Sequence, residues 1–208
     1  MQTEIPRQSL KEKQRRERED LILQVAEEVL TEKGYHDTSM DEIAARVGIA
    51  KGTVYLHFAS KGDLVFALIE REMQKLLQFV EHTASLPLTA RARLESILQG
   101  MYRGMLGQRV RLLVALYTSP DVRKDLPQKK EYIHSTWKQL SARIAMLLEE
   151  GKATGDFDAG LPTPVLLGTF FSLLSPWEYE RHVVEEQIPP EELVKHLTRI
   201  YFQGIAAD

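Results

Sequence analysis

Lys51, Thr53, Tyr55 and His57 stand together in the stretch KGTVYLH of a 208-residue chain. An ammonium, a hydroxyl, a phenol and an imidazole set this close are donors suited to base edges and phosphate oxygens. Gly52 lies among them and lets a backbone come close to whatever they touch. From Ile43 to Gly62 there is no Asp or Glu, whereas Arg46, Lys51 and Lys61 are present. A surface with that balance favours an anion such as a phosphodiester.

Other chemistry is not supported. The run Gly48-Ile49-Ala50-Lys51-Gly52-Thr53 has the letters of a phosphate loop in the wrong order, with no strand before it. There is no Gly-x-Ser-x-Gly elbow. The six histidines (36, 57, 82, 134, 182, 196) show neither HExxH nor paired i, i+4 spacing, so no metal site and no cofactor are expected. Paired acids such as Glu149-Glu150 and Glu185-Glu186 read as solvated surface. The absence of cysteine removes disulfides and thiolate nucleophiles and fits a reducing compartment. The chain is read as a non-enzyme.

Two short helices must hold the donors. Ser39 is an N-cap with Glu42 three residues on, the spacing of a capping box. Ile43, Ala44 and Val47 give the first helix an apolar face. Gly48 ends it where a residue with φ > 0 is needed. The second helix restarts near Lys51 with Val54 and Phe58 inward, and Lys51, Gly52, Thr53, Tyr55 and His57 outward. Helix, glycine turn and helix make a helix-turn-helix. Before it, Arg7, Lys11, Lys13, Arg15, Arg16 and Arg18 face only Glu12 and Glu17. Beside such a motif this run suits phosphates or a minor groove, with Arg15 and Arg16 as the nominated contacts. A first helix continues to about Lys33 on the stripe Ile22, Ala26, Val29, Leu30, and Gly34 stops it.

The segment MDEIAARVGIAKGTVYLHFASKGDLVFAL, with the run GI-x-KGT-x-Y-x-HF-x-SK-x-x-L, closely resembles the TetR/AcrR family of bacterial regulators over about residues 20–70. The resemblance implies base or phosphate contact by Lys51, Thr53, Tyr55, His57 and Lys61, with Ser39 on a phosphate. Gly52 stands where other members often carry proline or another small residue. The resemblance also implies a homodimer that reads a palindromic operator on double-stranded DNA, and repression relieved by a small molecule.

The rest of the chain reads as helices. A fourth begins at Ala59 or Ser60 and carries Val65, Ile69, Met73, Leu76 and Val80, too long a stripe for a small domain alone. No flexible linker follows, so this helix is expected to act as a rod that transmits a ligand-driven shift. Thr89 caps a helix with Leu94, Leu98, Met101 and Met105; Gly100, Gly104 and Gly107 on or near it point to close helix packing. Val110–Tyr117, a helix through Ile133 and Leu147, one opened by Thr163-Pro164 and a last one opened by Pro189-Pro190 complete the set. The fold class is all-α, with about nine helices, a helix-turn-helix domain over 1–62 and a ligand-binding and dimerisation domain over 63–208.

Val165, Leu166, Leu167, Phe170, Phe171, Leu173, Leu174 and Trp177 leave the helix after Pro164 almost without a polar face. Such a helix needs cover on both sides. Pairing with a second subunit is expected through Leu166, Phe170, Leu174 and Trp177, joined by Leu197 and Tyr201 of the last helix. Met73, Met101, Tyr102, Met105, Leu113, Tyr117, Trp137, Leu140, Phe170 and Phe171 are candidates to line a site for a hydrophobic small molecule. Arg103, Arg109 and Arg111 nearby leave room for an anionic head group such as that of an acyl-CoA; a drug-like efflux substrate is the other class of effector expected.

Net charge is −3, so nucleic-acid binding must come from local clusters. No apolar run is long enough to span a bilayer, and a cytoplasmic protein is expected. Two other readings compete: a non-specific or architectural DNA-binding dimer without a ligand, and a helical enzyme with a decorative motif.

Overall fold

The computed structural model describes residues 10–120, 122, 130–174 and 188–207. They form α1 (Leu10–Asp37), α2 (Met40–Val47), α3 (Lys51–His57), α4 (Lys61–Ala84), α5 (Ala90–Leu106), α6 (Gln108–Thr118), α7 (Lys130–Thr154), α8 (Thr163–Ser172) and α9 (Pro190–Gly204). No strand occurs among the described residues, and the all-α expectation holds. No helix among them is long and apolar enough to cross a membrane.

The chain divides into two compact units, Met1–Ile69 with Ala115–Pro127 and Glu70–Val114 with Gln128–Asp208. Helix α4 contributes its residues up to Ile69 to the first and those from Glu70 to the second.

In the first unit, Ile22, Ala26, Val29, Ile43, Val54 and Leu64 have no exposed surface. They come from four helices, each presenting one apolar face to a shared core. Gly34 breaks α1 with φ 76° and ψ 178°, where the stop signal was read. Gly48 adopts φ 77° at the end of α2, and its N–H donates to the Ala44 carbonyl at 3.0 Å. That left-handed turn lets α3 restart three residues later.

Caps follow the sequence in part. The Ser39 hydroxyl accepts from the Glu42 N–H at 3.2 Å, but the Glu42 carboxylate turns to Lys33 and Arg46. The expected capping box is therefore made on one side only. The Thr89 hydroxyl caps α5 by accepting from Ala92 N–H at 3.1 Å. At α8 the cap residue is Pro162, not Thr163. The Thr163 hydroxyl instead donates to Glu149 and accepts from Lys152 Nζ.

The second unit packs α5, α7, α8 and α9 around Leu94, Leu140, Ile144, Phe157, Phe170 and Phe202. Tyr201 stands edge-on to both Phe170 and Phe202, with centroids 5.8 and 4.9 Å apart. Its hydroxyl donates to the Leu166 carbonyl at 2.8 Å, which locks α9 to α8. Gly100 and Gly151 admit aromatic rings. A Cβ at either would lie 2.2 Å from Phe79 or Phe157 respectively, so close packing is the reason for glycine there.

Candidate nucleic-acid interface

Helix α3 has two opposed faces. Val54 has no exposed surface and Phe58 has 8%, so this side of the helix is turned into the unit's core. Lys51, Gly52, Tyr55 and Leu56 form the outer face. Tyr55 is 43% exposed, with the Lys51 ammonium 5.9 Å from its ring centroid. Thr53 is half-buried, and its N–H closes the first turn on the Ala50 carbonyl at 2.8 Å.

Two of the residues expected to contact DNA have partners within the chain. His57 is turned inward, with Nδ1 3.0 Å from Oε1 of Glu19 on α1 and only 7% of its side chain exposed. Residue 57 follows Val54 by three positions, which places it on the flank of the buried face. The Lys61 ammonium donates to the carbonyls of Tyr35 at 2.5 Å and Thr38 at 2.9 Å, and lies 4.2 Å from the Tyr35 ring centroid. It ties α4 to the last turn of α1 and to Thr38 just after it. The end of α4 is occupied as well: the Ser60 hydroxyl accepts from Asp63 N–H at 3.0 Å.

The other nominated residues are on the surface. Ser39 is exposed, and a hydroxyl that accepts one bond can still donate another. Arg15 and Arg16 are exposed on α1, with Arg15 Nε 3.1 Å from Glu19.

The acid-free gap in the sequence is filled from elsewhere in the fold. Lys51 Nζ lies 2.7 Å from an oxygen of Asp41, and that carboxylate holds the lysine charged by raising its pKa. Arg46 meets Glu32 with both terminal nitrogens, at 3.0 and 2.7 Å, and reaches Glu42 at 2.9 Å. The hydrogen bond from Arg46 holds the Glu32 carboxyl below the usual range. Lys33 and then Arg46 do the same for Glu42.

Leu56, on the same outer face, is 81% exposed. Sequence reading passed over it because an apolar residue in a short helix carries no signal of its own before the facing is known.

In the second unit, Met101, Tyr102, Leu140 and Phe170 are buried in one core, with Met105 and Phe171 packed against it. Leu113 is also buried. Trp137 is 40% exposed and meets Phe171 edge-on at 5.7 Å. Met73 is half-buried, and Tyr117, also half-buried, belongs to the first unit. Arg109 pairs with Glu72 at 3.0 Å. Of the residues nominated for dimerisation, Leu166, Phe170, Leu174 and Tyr201 are buried in the chain's own core. Leu197 is half-buried, and Trp177 lies outside the described residues.

A three-helix head that anchors one face of α3 and presents the other is a helix-turn-helix DNA-binding unit. Residues 22–68 match the model of the family described as bacterial regulatory proteins, tetR family. A fatty acid metabolism regulator protein of Bacillus subtilis is 25% identical over 169 residues, covering 79% of this chain and 86% of that protein. A TetR/AcrR-family regulator from Thermobifida fusca superposes with a TM-score of 0.74 at 26% identity, over 90% of this chain and 98% of that one. The Bacillus subtilis regulator FadR, solved with stearoyl-CoA, shares the fold at a TM-score of 0.70 and 20% identity, over 89% and 98% of the two chains. Residues 22–68 thus match the DNA-binding domain of tetR-family regulators, and over most of its length the chain is similar to TetR/AcrR-type transcriptional regulators.

Proposed function

We propose that the protein is a homodimeric repressor that binds a palindromic operator and leaves it when a hydrophobic effector is bound. The observation that carries this reading is the division of α3 into an anchored face, Val54 and Phe58, and an open face, Lys51, Gly52 and Tyr55. The DNA contacts are assigned to Lys51, Gly52, Thr53 and Tyr55 in the major groove, and to Ser39, Arg15 and Arg16 on phosphates. Paired heads on a two-fold axis read half-sites about one helical turn or more apart. The domain division at residues 62 and 63 is kept as part of this reading.

Dimerisation through α8 and α9 is supported by what those helices leave outside their own core. Val165 is 58% exposed and Ile200 is 67% exposed. The effector is assigned to the second unit, whose half-buried Met105 and Phe171 flank an apolar core. Trp137 and Met73 extend that set. A fatty-acyl compound is the favoured class, supported by the name of the Bacillus subtilis relative. The effector acts through the difference in its affinity for the DNA-bound and released states.

Selection from random duplexes with the full chain tests the reading. Enrichment of a palindrome bound by two subunits supports it. Similar affinity for all duplexes with a steep salt slope would instead favour an architectural protein. Tyr55→Ala is expected to abolish the specific complex with an unchanged thermal midpoint, since the ring stands outside the core. Native mass spectrometry of the purified protein checks for a co-purified apolar molecule.

A further inference from the structure

Gly52 is the second residue of α3, a position that does not itself call for glycine's backbone freedom. Nothing in the chain requires it. A Cβ built there meets no atom within 4 Å, and its φ is not in the left-handed region. Gly100 and Gly151 have an aromatic ring as their reason, whereas Gly52 has open space. One turn later, at i+4, stands Leu56, the most exposed large apolar residue among those described, at 81%. Helical side chains lean over the preceding turn, so the Leu56 methyls project across the bare backbone at Gly52. Together they make a stripe that is smooth, apolar and closely approachable, on the outer face of a DNA-binding helix. Two neighbouring polar groups are turned away from this stripe, His57 onto Glu19 and Lys61 onto the carbonyls of Tyr35 and Thr38.

We infer that Leu56 is a specificity-determining residue that reads thymine through its C5-methyl group, and that Gly52 lets α3 approach the groove closely enough for that contact. The inference rests on the DNA-binding reading above. In the major groove the thymine methyl is the one apolar mark that a base pair displays, and an aliphatic side chain is its natural complement. The occupant is duplex DNA rather than another protein, because Leu56 shares its exposed face with the Lys51 ammonium and the Tyr55 phenol on the second helix of a helix-turn-helix.

The test replaces each thymine of the selected duplex with uracil, which removes the methyl and keeps every hydrogen-bonding group. Salt is held fixed. Wild-type affinity is expected to fall about fourfold per contacted methyl, the ratio equivalent to ~0.8 kcal/mol per buried carbon. Leu56→Ala is expected to bind more weakly and to show no difference between thymine and uracil at those positions. Gly52→Ala is expected to keep or raise the thermal midpoint while losing the specific complex. Equal uracil sensitivity in wild type and Leu56→Ala, or none in either, overturns the inference. So does an altered solution mass for Leu56→Ala, which would assign the residue to a protein contact. If no duplex is preferred at all, the regulator reading itself has failed. If one is preferred and uracil is silent, only the role of Leu56 has.

Discussion

Nδ1 of His57 lies 3.0 Å from Oε1 of Glu19, and Arg15 Nε meets the same oxygen at 3.1 Å. The recognition helix is thereby fastened to the basic first helix through one carboxylate. His57 is almost enclosed, so its hydrogen bond has no ready replacement by water.

Glu19→Ala and His57→Ala are each expected to destabilise the protein by about 1 kcal/mol, the usual worth of a partly buried hydrogen bond. Their effects should be non-additive, with a coupling of at least ~0.5 kcal/mol in a double-mutant cycle followed by urea unfolding. Additive losses would show that the contact contributes nothing.

The acids around Arg46 set an acid-side prediction. Glu32 and Glu42 have folded pKa values below their unfolded ones. Their contribution is present above the unfolded carboxylate value and disappears as pH falls through the lowered folded values. Arg46→Met is expected to be less stable than wild type near neutrality, and the two stability curves should converge on acidification. Unfolding midpoints between neutral pH and strong acid check this. A difference that grows toward acid would refute it.

Burial raises the pKa of Tyr201, whose exposure is 4%. A raised phenol pKa means stability is complete below the unfolded value and is lost as pH rises toward the folded one. Tyr201→Phe removes the donor to the Leu166 carbonyl and should cost about 1 kcal/mol at neutral pH. The variant should also lose less stability than wild type at strongly alkaline pH. Denaturant titrations on both sides of the phenol range measure both effects.

Gly151 and Phe157 give a packing prediction. The Phe157 ring is 1% exposed and fills the space of the missing Cβ. Gly151→Ala should cost about 1–3 kcal/mol as an overpacking change. Adding Phe157→Leu should recover part of the loss, because the smaller side chain vacates the position. Thermal unfolding of both single variants and the double variant decides it.

Much of this molecule was legible in the order of its residues. The alternation of apolar residues gave the helices, Gly48 gave the turn, and the spacing of Val54 and Phe58 gave the anchored side of α3. These are local consequences of a 3.6-residue period and of glycine's access to φ > 0, and neighbours in sequence suffice to state them. The outward placement of Tyr55 follows from the same periodicity. Partner choice did not follow, because it depends on residues far apart in the chain. Glu19 meets His57 across 38 positions, Tyr35 meets Lys61 across 26, and Glu32 meets Arg46 across 14. A charge count along the chain cannot see those pairs, since helix crossing brings acids of α1 and α2 against the cations of the acid-free gap. Likewise the apolar run after Pro164 announced burial but not by what. Packing within one chain claimed Leu166 and Phe170 and left Val165 outside, because only the folded geometry decides which side of a helix its own core covers.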